Sequence, residues 1–234
     1  MDMYDKETLE SYASFANVMK LLKKDAQFNH FCTQHRMPAG TKLTLDKRRK
    51  ICYLLETGYL KYSYSGSDGL RNFHTVWPGR FVTLPIIAEY VPNTAELLFL
   101  SDAVWWEIDF EYLRKMLLTE DPRNYIMLQF AIEYGYRAYI LSTMRRISAE
   151  DRVLFALVRL ARFGIRVGAN RVELPHFLTY SNLAELTDTS KSYVTLALKD
   201  LRDKGILASS KKPWIVEDLA QLKGMVDIPD APSY

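Results

Sequence analysis

Apolar and polar positions change rhythm three times along the chain. The first 36 residues are rich in helix formers and contain neither Gly nor Pro before Pro38, and their spacing predicts one or two short amphipathic helices. From Pro38 to about Asp109, short β-branched and aromatic runs alternate with turn signals. The turns are Pro38-Ala39-Gly40, Thr57-Gly58, Ser65 to Gly69, Trp77-Pro78-Gly79 and Val91-Pro92-Asn93. The runs between them predict strands at Ile51–Glu56, Tyr59–Tyr64, Arg71–Val76, Glu96–Leu100 and Val104–Ile108. Short strands separated by turns describe an all-β sandwich or jelly-roll barrel.

The rhythm becomes helical after Phe110. A long helix is predicted from Asp121-Pro122 to about Arg146, with proline near its start, where a missing N–H costs little. Tyr125, Leu128, Ile132, Gly135 and Tyr139 form one stripe at spacings of three and four; Met127, Ala131, Tyr134, Ala138 and Leu141 form another. Two stripes mean two surfaces to bury. Either one packs on the chain's own β-domain and the other on a second copy, or the whole helix lies inside one core. The former makes a dimer. A further helix, Ala149 to about Phe163, follows Ser148 as N-cap, carries Glu150 and Asp151 in its first turn, and stops at Gly164. No internal repeat or low-complexity linker is present, and the end with Pro229 and Pro232 reads as a loose tail.

The segment Thr179–Leu207 carries the strongest local signal. A helix at about Ser181–Leu186 buries Leu183, Ala184 and Leu186, and Thr187-Asp188-Thr189 makes a turn in which Asp tolerates left-handed φ. A second helix starts at the N-cap Ser190, turns Val194, Leu198 and Leu201 inward, and closes at Gly205 as C′ residue. Lys191, Ser192, Thr195, Leu196 and Lys199 are left outward, as on a recognition helix whose N-terminal end enters a major groove. Ala208 to Val216 then reads as a two-stranded wing, with Lys211 and Lys212 placed for phosphate oxygens. The rival reading is a plain helical hairpin with solvated lysines.

Charge favours the first of these. Residues 1–144 hold 17 basic and 17 acidic side chains, whereas residues 145–216 hold 13 and 7, a net of +6. Hydrophobic residues at 48% and charged residues at 25% exclude a disordered chain. No apolar run reaches the roughly 18–20 residues needed to span a bilayer. The acidic N-terminus (Asp2, Asp5, Glu7, Glu10) lacks a signal peptide's pattern, which leaves a cytoplasmic location as the default. Cys32 and Cys52 have no CxxC spacing and read as buried structural thiols. His30, His35, His74 and His176 form no metal-ligand pair.

A β-roll, a long helix and a winged helix-turn-helix, in that order, resemble the cyclic-AMP receptor protein / fumarate-nitrate reductase regulator (CRP/FNR) family of bacterial transcription regulators. The matching pieces are Pro38-Ala39-Gly40, Leu54 to Lys61, Ser67-Asp68-Gly69, Trp77 to Phe81, Ala149 to Val153 and the Thr179–Leu207 block, spanning roughly Met37 to Lys223. The resemblance implies a homodimer that reads a two-fold-symmetric operator, under an effector that acts through the β-roll and the dimer helix.

Departures from the family narrow the signal. Cyclic-nucleotide binders use a glutamate for the ribose and an arginine–serine pair for the phosphate; here Leu84 and Asn93-Thr94 stand at those positions. A buried phosphate with no cation is costly, which argues against cyclic AMP. Cys32 alone before the β-roll cannot supply the four thiolates of an iron–sulfur cluster, and His74 is the lone candidate for haem, so no cofactor is expected. On the recognition helix Ser192 and Leu196 replace the Glu and Arg of many relatives, so the operator should differ from the family's usual one. Aromatic residues gather near the expected pocket: Tyr62, Tyr64, Phe73, Trp77, Phe81, Trp105, Tyr134 and Tyr136. They suit either an aromatic or hydrophobic ligand or a filled core that needs none.

The expected fold is α+β: a cupin-like double-stranded β-helix (jelly roll) over residues 1–120 with short leading helices, a dimerisation helix and hinge over 121–147, and a winged helix-turn-helix over 148–234. The expected DNA-binding residues are Thr179, Ser181, Ser190, Lys191, Ser192, Thr195, Leu196, Lys199, Lys211 and Lys212. An effector pocket would draw on Tyr62, Phe81, Leu84, Asn93, Thr94, Tyr134 and Arg137; the dimer face on Tyr125, Leu128, Ile132, Gly135 and Tyr139. No catalytic or metal-binding residue is expected. The partners are double-stranded DNA and a second copy, with RNA polymerase and an unidentified small-molecule effector also admitted by the resemblance; a membrane is not. The alternatives are a regulatory β-roll acting through protein partners, and a cupin-like metalloenzyme, which needs clustered histidines that this sequence lacks.

Overall fold

The computed structural model describes residues 4–65, 71–84, 94–208 and 211–226, with the backbone alone at 47, 65, 71 and 72. It divides into two compact units, Met1–Tyr136 and Arg137–Tyr234.

The first unit opens with α1 (Lys6–Tyr12), α2 (Phe15–Leu22) and α3 (Phe28–Phe31). Asp5 and Ser14 cap the first two helices by accepting from the amides of Thr8 and Asn17. The helical reading of the first 36 residues fails at its end, because Cys32–Met37 is a strand, β1. Its sequence, Cys-Thr-Gln-His-Arg-Met, has little strand character of its own. It pairs along its full length with a distant strand, from Cys32 opposite Ile108 to Met37 opposite Ala103, and that pairing decides its state.

The remaining strands are β2 (Lys42–Asp46), β3 (Ile51–Thr57), β4 (Leu60–Ser65), β5 (Arg71–Val76), β6 (Phe81–Thr83), β7 (Thr94–Phe99) and β8 (Ala103–Asp109). Of these, β2 and β6 are additions to the sequence reading, and β7 begins earlier than the predicted Glu96. Two four-stranded sheets form, ordered β1-β8-β3-β6 and β2-β7-β4-β5. The antiparallel pairs β1·β8, β2·β7, β3·β6 and β4·β5 nest inside one another, as in one long hairpin rolled into a jelly roll. Gly58 makes the tight β3–β4 turn possible: it sits at φ +87, and a Cβ there would lie 2.5 Å from the Asp102 carbonyl oxygen.

Two apolar cores flank the first sheet. One fills the sandwich with Leu55, Leu60, Tyr62, Leu97, Phe99 and Trp105. The other joins the sheet's outer face (Cys32, Cys52, Leu54, Phe81, Ile108) to the helices through Leu22, Leu113, Met116 and Ile126. These last residues lie on α2, on α4 (Phe110–Glu120) and on α5 (Tyr125–Met144). The long helix was expected from Asp121; it starts four residues later. Pro122 lies in the turn, and the buried Asp121 carboxylate accepts from the amides of Tyr125 (3.0 Å) and Ile126 (2.8 Å). A side chain therefore caps the helix from outside it.

The second unit holds the end of α5, then α6 (Ala149–Ala161), capped by Ser148. It continues with β9 (Ile165–Arg166), β10 (Val172–Glu173), α7 (Tyr180–Thr187), α8 (Lys191–Asp203), β11 (Ile215–Val216) and α9 (Leu219–Gly224). A small sheet is ordered β11-β10-β9, so the expected two-stranded wing is tied into a third and fourth piece of chain: β11 pairs with β10 and bridges to Leu207. Ser209 and Ser210 lie outside the described residues. No helix among the described residues is long and apolar enough to cross a membrane.

Candidate nucleic-acid interface

The pair α7–α8 is built by local capping. Thr179 accepts from the Asn182 amide at 2.9 Å and starts α7; Ser190 accepts from the Tyr193 amide at 3.1 Å and starts α8. Between them Asp188 takes the left-handed conformation at φ 49, ψ 52, the role its residue type predicted. Thr187, fully buried, locks the turn: its hydroxyl donates to the Leu183 carbonyl at 2.8 Å and shares a 2.8 Å hydrogen bond with the Thr189 hydroxyl. Gly205, at φ 71, ends α8 as C′ residue.

Val194, Leu198 and Leu201 are buried and seat α8. At about 1.5–3 kcal/mol per buried aliphatic side chain, these three dominate its docking. The opposite face presents Lys191, Ser192, Thr195, Leu196 and Lys199, all exposed, with Leu196 at 66%. The Thr195 hydroxyl donates back to the Lys191 carbonyl at 2.8 Å and keeps its acceptor capacity. Ser181, Ser190, Lys211 and Lys212 are also exposed, whereas Thr179 is half-buried and occupied as a cap. The face thus combines two ammonium groups, two hydroxyls and one aliphatic tip. That is the donor, acceptor and methyl-contact set that reads base edges and phosphates in a groove.

The sequence reading gave Arg152 no role. Its guanidinium reaches the carbonyls of Thr187 and Asp188, at the turn itself. A cation in the first turn of α6, where the helix dipole disfavours it, was the available signal.

The buried residues among those expected to line an effector pocket divide between two cores, with Tyr134 near Tyr62. Tyr62 belongs to the core between the sheets, while Phe81 and Leu84 belong to the core beneath the helices. Tyr62 has ring neighbours in Tyr64 (5.8 Å) and His74 (5.0 Å). Burial, then the nearby phenols of Tyr64 and Tyr134, push its hydroxyl up to about 12. Thr94 is exposed at the start of β7, Tyr134 is 59% exposed, Arg137 is half-buried, and Asn93 lies outside the described residues. An ion pair that the sequence did not announce, Arg80 to Glu133 at 3.1 Å, joins the β3–β6 edge of the sandwich to α5.

On α5 the face turned to its own β-domain is Ile126, helped by Phe130, which belongs to neither predicted stripe, and by Met127, which begins the second of them. Tyr125 is half-buried and packs edge-on against Tyr12 at 5.3 Å. Leu128 and Tyr139 are half-buried; Ala131, Ile132, Tyr134, Gly135, Ala138 and Leu141 are exposed. Cys32 and Cys52 are free thiols, both pushed up to about 12, chiefly by burial and then by the Asp109 carboxylate. Among the described residues, no group of three or more His, Cys, Asp or Glu is placed to hold a metal.

Residues 151–225 match the profile of the Crp-like helix-turn-helix domain family. No curated protein sequence matches the chain. Solved structures resemble it at low identity, among them the following three. A cyclic nucleotide-binding domain containing protein from Listeria monocytogenes shares 19% identity at a TM-score of 0.71, over 86% of this chain and 96% of that one. FixK2 from Bradyrhizobium japonicum shares 19% at 0.65, over 84% and 98%. A transcriptional regulator of the CRP family from Thermus thermophilus shares 17% at 0.62, over 82% and 96%. At such identities the likeness is one of fold.

Proposed function

We propose that this chain, whose residues 151–225 match the Crp-like helix-turn-helix domain family, is a transcription regulator of the CRP/FNR kind and works as a homodimer reading a two-fold-symmetric DNA operator with α8. The observation that carries this reading is the division of α8. Val194, Leu198 and Leu201 seat it, and Lys191, Ser192, Thr195, Leu196 and Lys199 share the exposed side, where Lys211 and Lys212 can add phosphate contacts. A leucine 66% exposed on a polar helix face gains nothing in water and suits a thymine methyl. Ser192 and Leu196 set the operator apart from one read by an acidic and a basic residue.

The second copy is inferred from α5. Ile132 at 41%, Tyr134 at 59% and Leu141 at 45% exposure leave apolar surface on a helix already anchored by Ile126. A helix partner of the same sequence would cover it. The β-roll would then respond to a signal other than a cyclic nucleotide, or to none, because Leu84 is buried among helix-facing apolar residues where a ribose-binding carboxylate is needed. Members of the family act on transcription with RNA polymerase, which is the natural further partner for this reading.

Selection of binding sites from randomised duplexes, followed by mobility-shift titration, tests the proposal. The expected result is a symmetric site with half-sites about one helical turn apart. Binding without sequence preference on any duplex contradicts it. Sedimentation of Ile132→Asp, expected as a monomer beside a dimeric wild type, tests the α5 interface separately.

A further inference from the structure

Arg152 occupies the first turn of α6 and is half-buried. The positive end of the helix dipole opposes a cation there, so the position needs compensating partners. It has three. Nε donates to the Thr187 carbonyl at 2.7 Å, Nη2 to the Asp188 carbonyl at 3.2 Å, and Nη1 to the Ile147 carbonyl at 3.0 Å. Among the described residues, all of its hydrogen-bond partners are main-chain oxygens and none is a carboxylate.

The three oxygens belong to two places that the sequence separates. Thr187 and Asp188 end α7 and form the left-handed turn that aims α8. Carbonyls at a helix C-terminus lack intrahelical donors, and a planar guanidinium with several N–H groups can satisfy two of them at once. Ile147 immediately precedes Ser148, the N-cap of α6. Within the helix pair the turn is held by Thr187, Thr189 and the Thr189 amide, which donates to the Ala184 carbonyl at 3.0 Å. Arg152 adds a tie from outside the pair, and it spans from the chain entering α6 to the turn.

We propose that Arg152 is a positioning residue for operator reading: its guanidinium fixes the α7–α8 turn to the segment entering α6, and so sets the direction in which α8 presents Ser192, Thr195 and Leu196. This rests on the reading of α8 as the recognition helix. A change in the chain path at residues 145–147 would reach the turn through the same side chain. The charge is spent on carbonyls, so its loss should disturb specificity and leave phosphate-driven affinity in place.

The test uses the full chain as wild type, Arg152→Met and Arg152→Lys, each titrated with the selected operator and with an unrelated duplex over a range of salt. For Arg152→Met, operator affinity should fall roughly tenfold, as for one to two net hydrogen bonds lost. Affinity for the unrelated duplex and its salt dependence should hold. Amide exchange at Thr189 should quicken while Val194 and Leu198 keep their protection. Lysine, which reaches one carbonyl, should recover part of the loss; if the methionine variant does not fold, the lysine variant's operator-to-unrelated ratio decides in its place. Wild-type operator affinity in Arg152→Met overturns the proposal. So does an equal loss on both duplexes, the mark of a residue that only stabilises the fold. A wild type with no sequence preference is a different failure: it removes the recognition-helix reading and the proposal with it.

Discussion

The two units treat polar chemistry in opposite ways. In the first, Cys32, Cys52, Tyr62 and Tyr112 are buried and held protonated, each pushed up to about 12 chiefly by burial. The Tyr112 hydroxyl donates to the Leu22 carbonyl at 2.7 Å, so it ties a helix in place. In the second, serine, threonine and lysine stand on the exposed side of α8, and the buried side is aliphatic. The contrast teaches where to look for function. A cluster of aromatic residues near an expected pocket can be consumed by packing, whereas a short polar face over a well-seated helix is free to bind.

Core truncation separates the units most sharply. Phe99→Ala, in the closed sandwich, should cost about 3–5 kcal/mol, and Leu198→Ala, under α8, about 2–5 kcal/mol. By calorimetry each should lower the melting transition of its own unit; one shared transition lowered equally by both would break the comparison. Alkaline titration comes next. The folded values of Cys32, Cys52, Tyr62 and Tyr112 lie above their ordinary 9.0 to 10.0. Their contribution is therefore complete below about pH 9 and lost as pH rises through about 12. The first unit's melting temperature should fall over that window, and a flat profile would mean that these groups meet water.

Smaller effects probe the second unit. Ser190→Ala removes the cap of α8 and should cost about 1 kcal/mol by chemical denaturation, with a matching loss of operator affinity. Lys199→Ala should weaken binding to all duplexes alike and flatten the salt slope by about 0.9 if it meets a phosphate. An unchanged slope would leave Lys199 a solvated lysine.

Legibility followed the range of the forces involved. Strands β3, β4 and β5 were readable because β-branched and aromatic runs end at glycine turns, and Gly58 is required locally. The helix-turn-helix was readable for the same reason: Thr179, Asp188, Ser190 and Gly205 each act within a few residues. Strand β1 was not, because Cys32–Met37 takes its state from β8, more than 60 residues away in the chain. Periodicity along α5 found two apolar stripes but passed over Ile126 and Phe130, which face home because of the core they meet. The separation of Tyr62 from Phe81 and Leu84 depends on which face of a sheet each strand presents, and no local pattern states that. Arg152 lay inside a matched segment, yet its partners at 187 and 188 are known only once α6 and α7 are packed.

Amide hydrogen exchange of the full chain, with and without its selected operator, tests the central claim most directly. New protection over residues 190–199 and at 211 and 212, with the sandwich strands unchanged, is the predicted result. Protection confined to the first unit, with α8 exchanging as in the free protein, would contradict it.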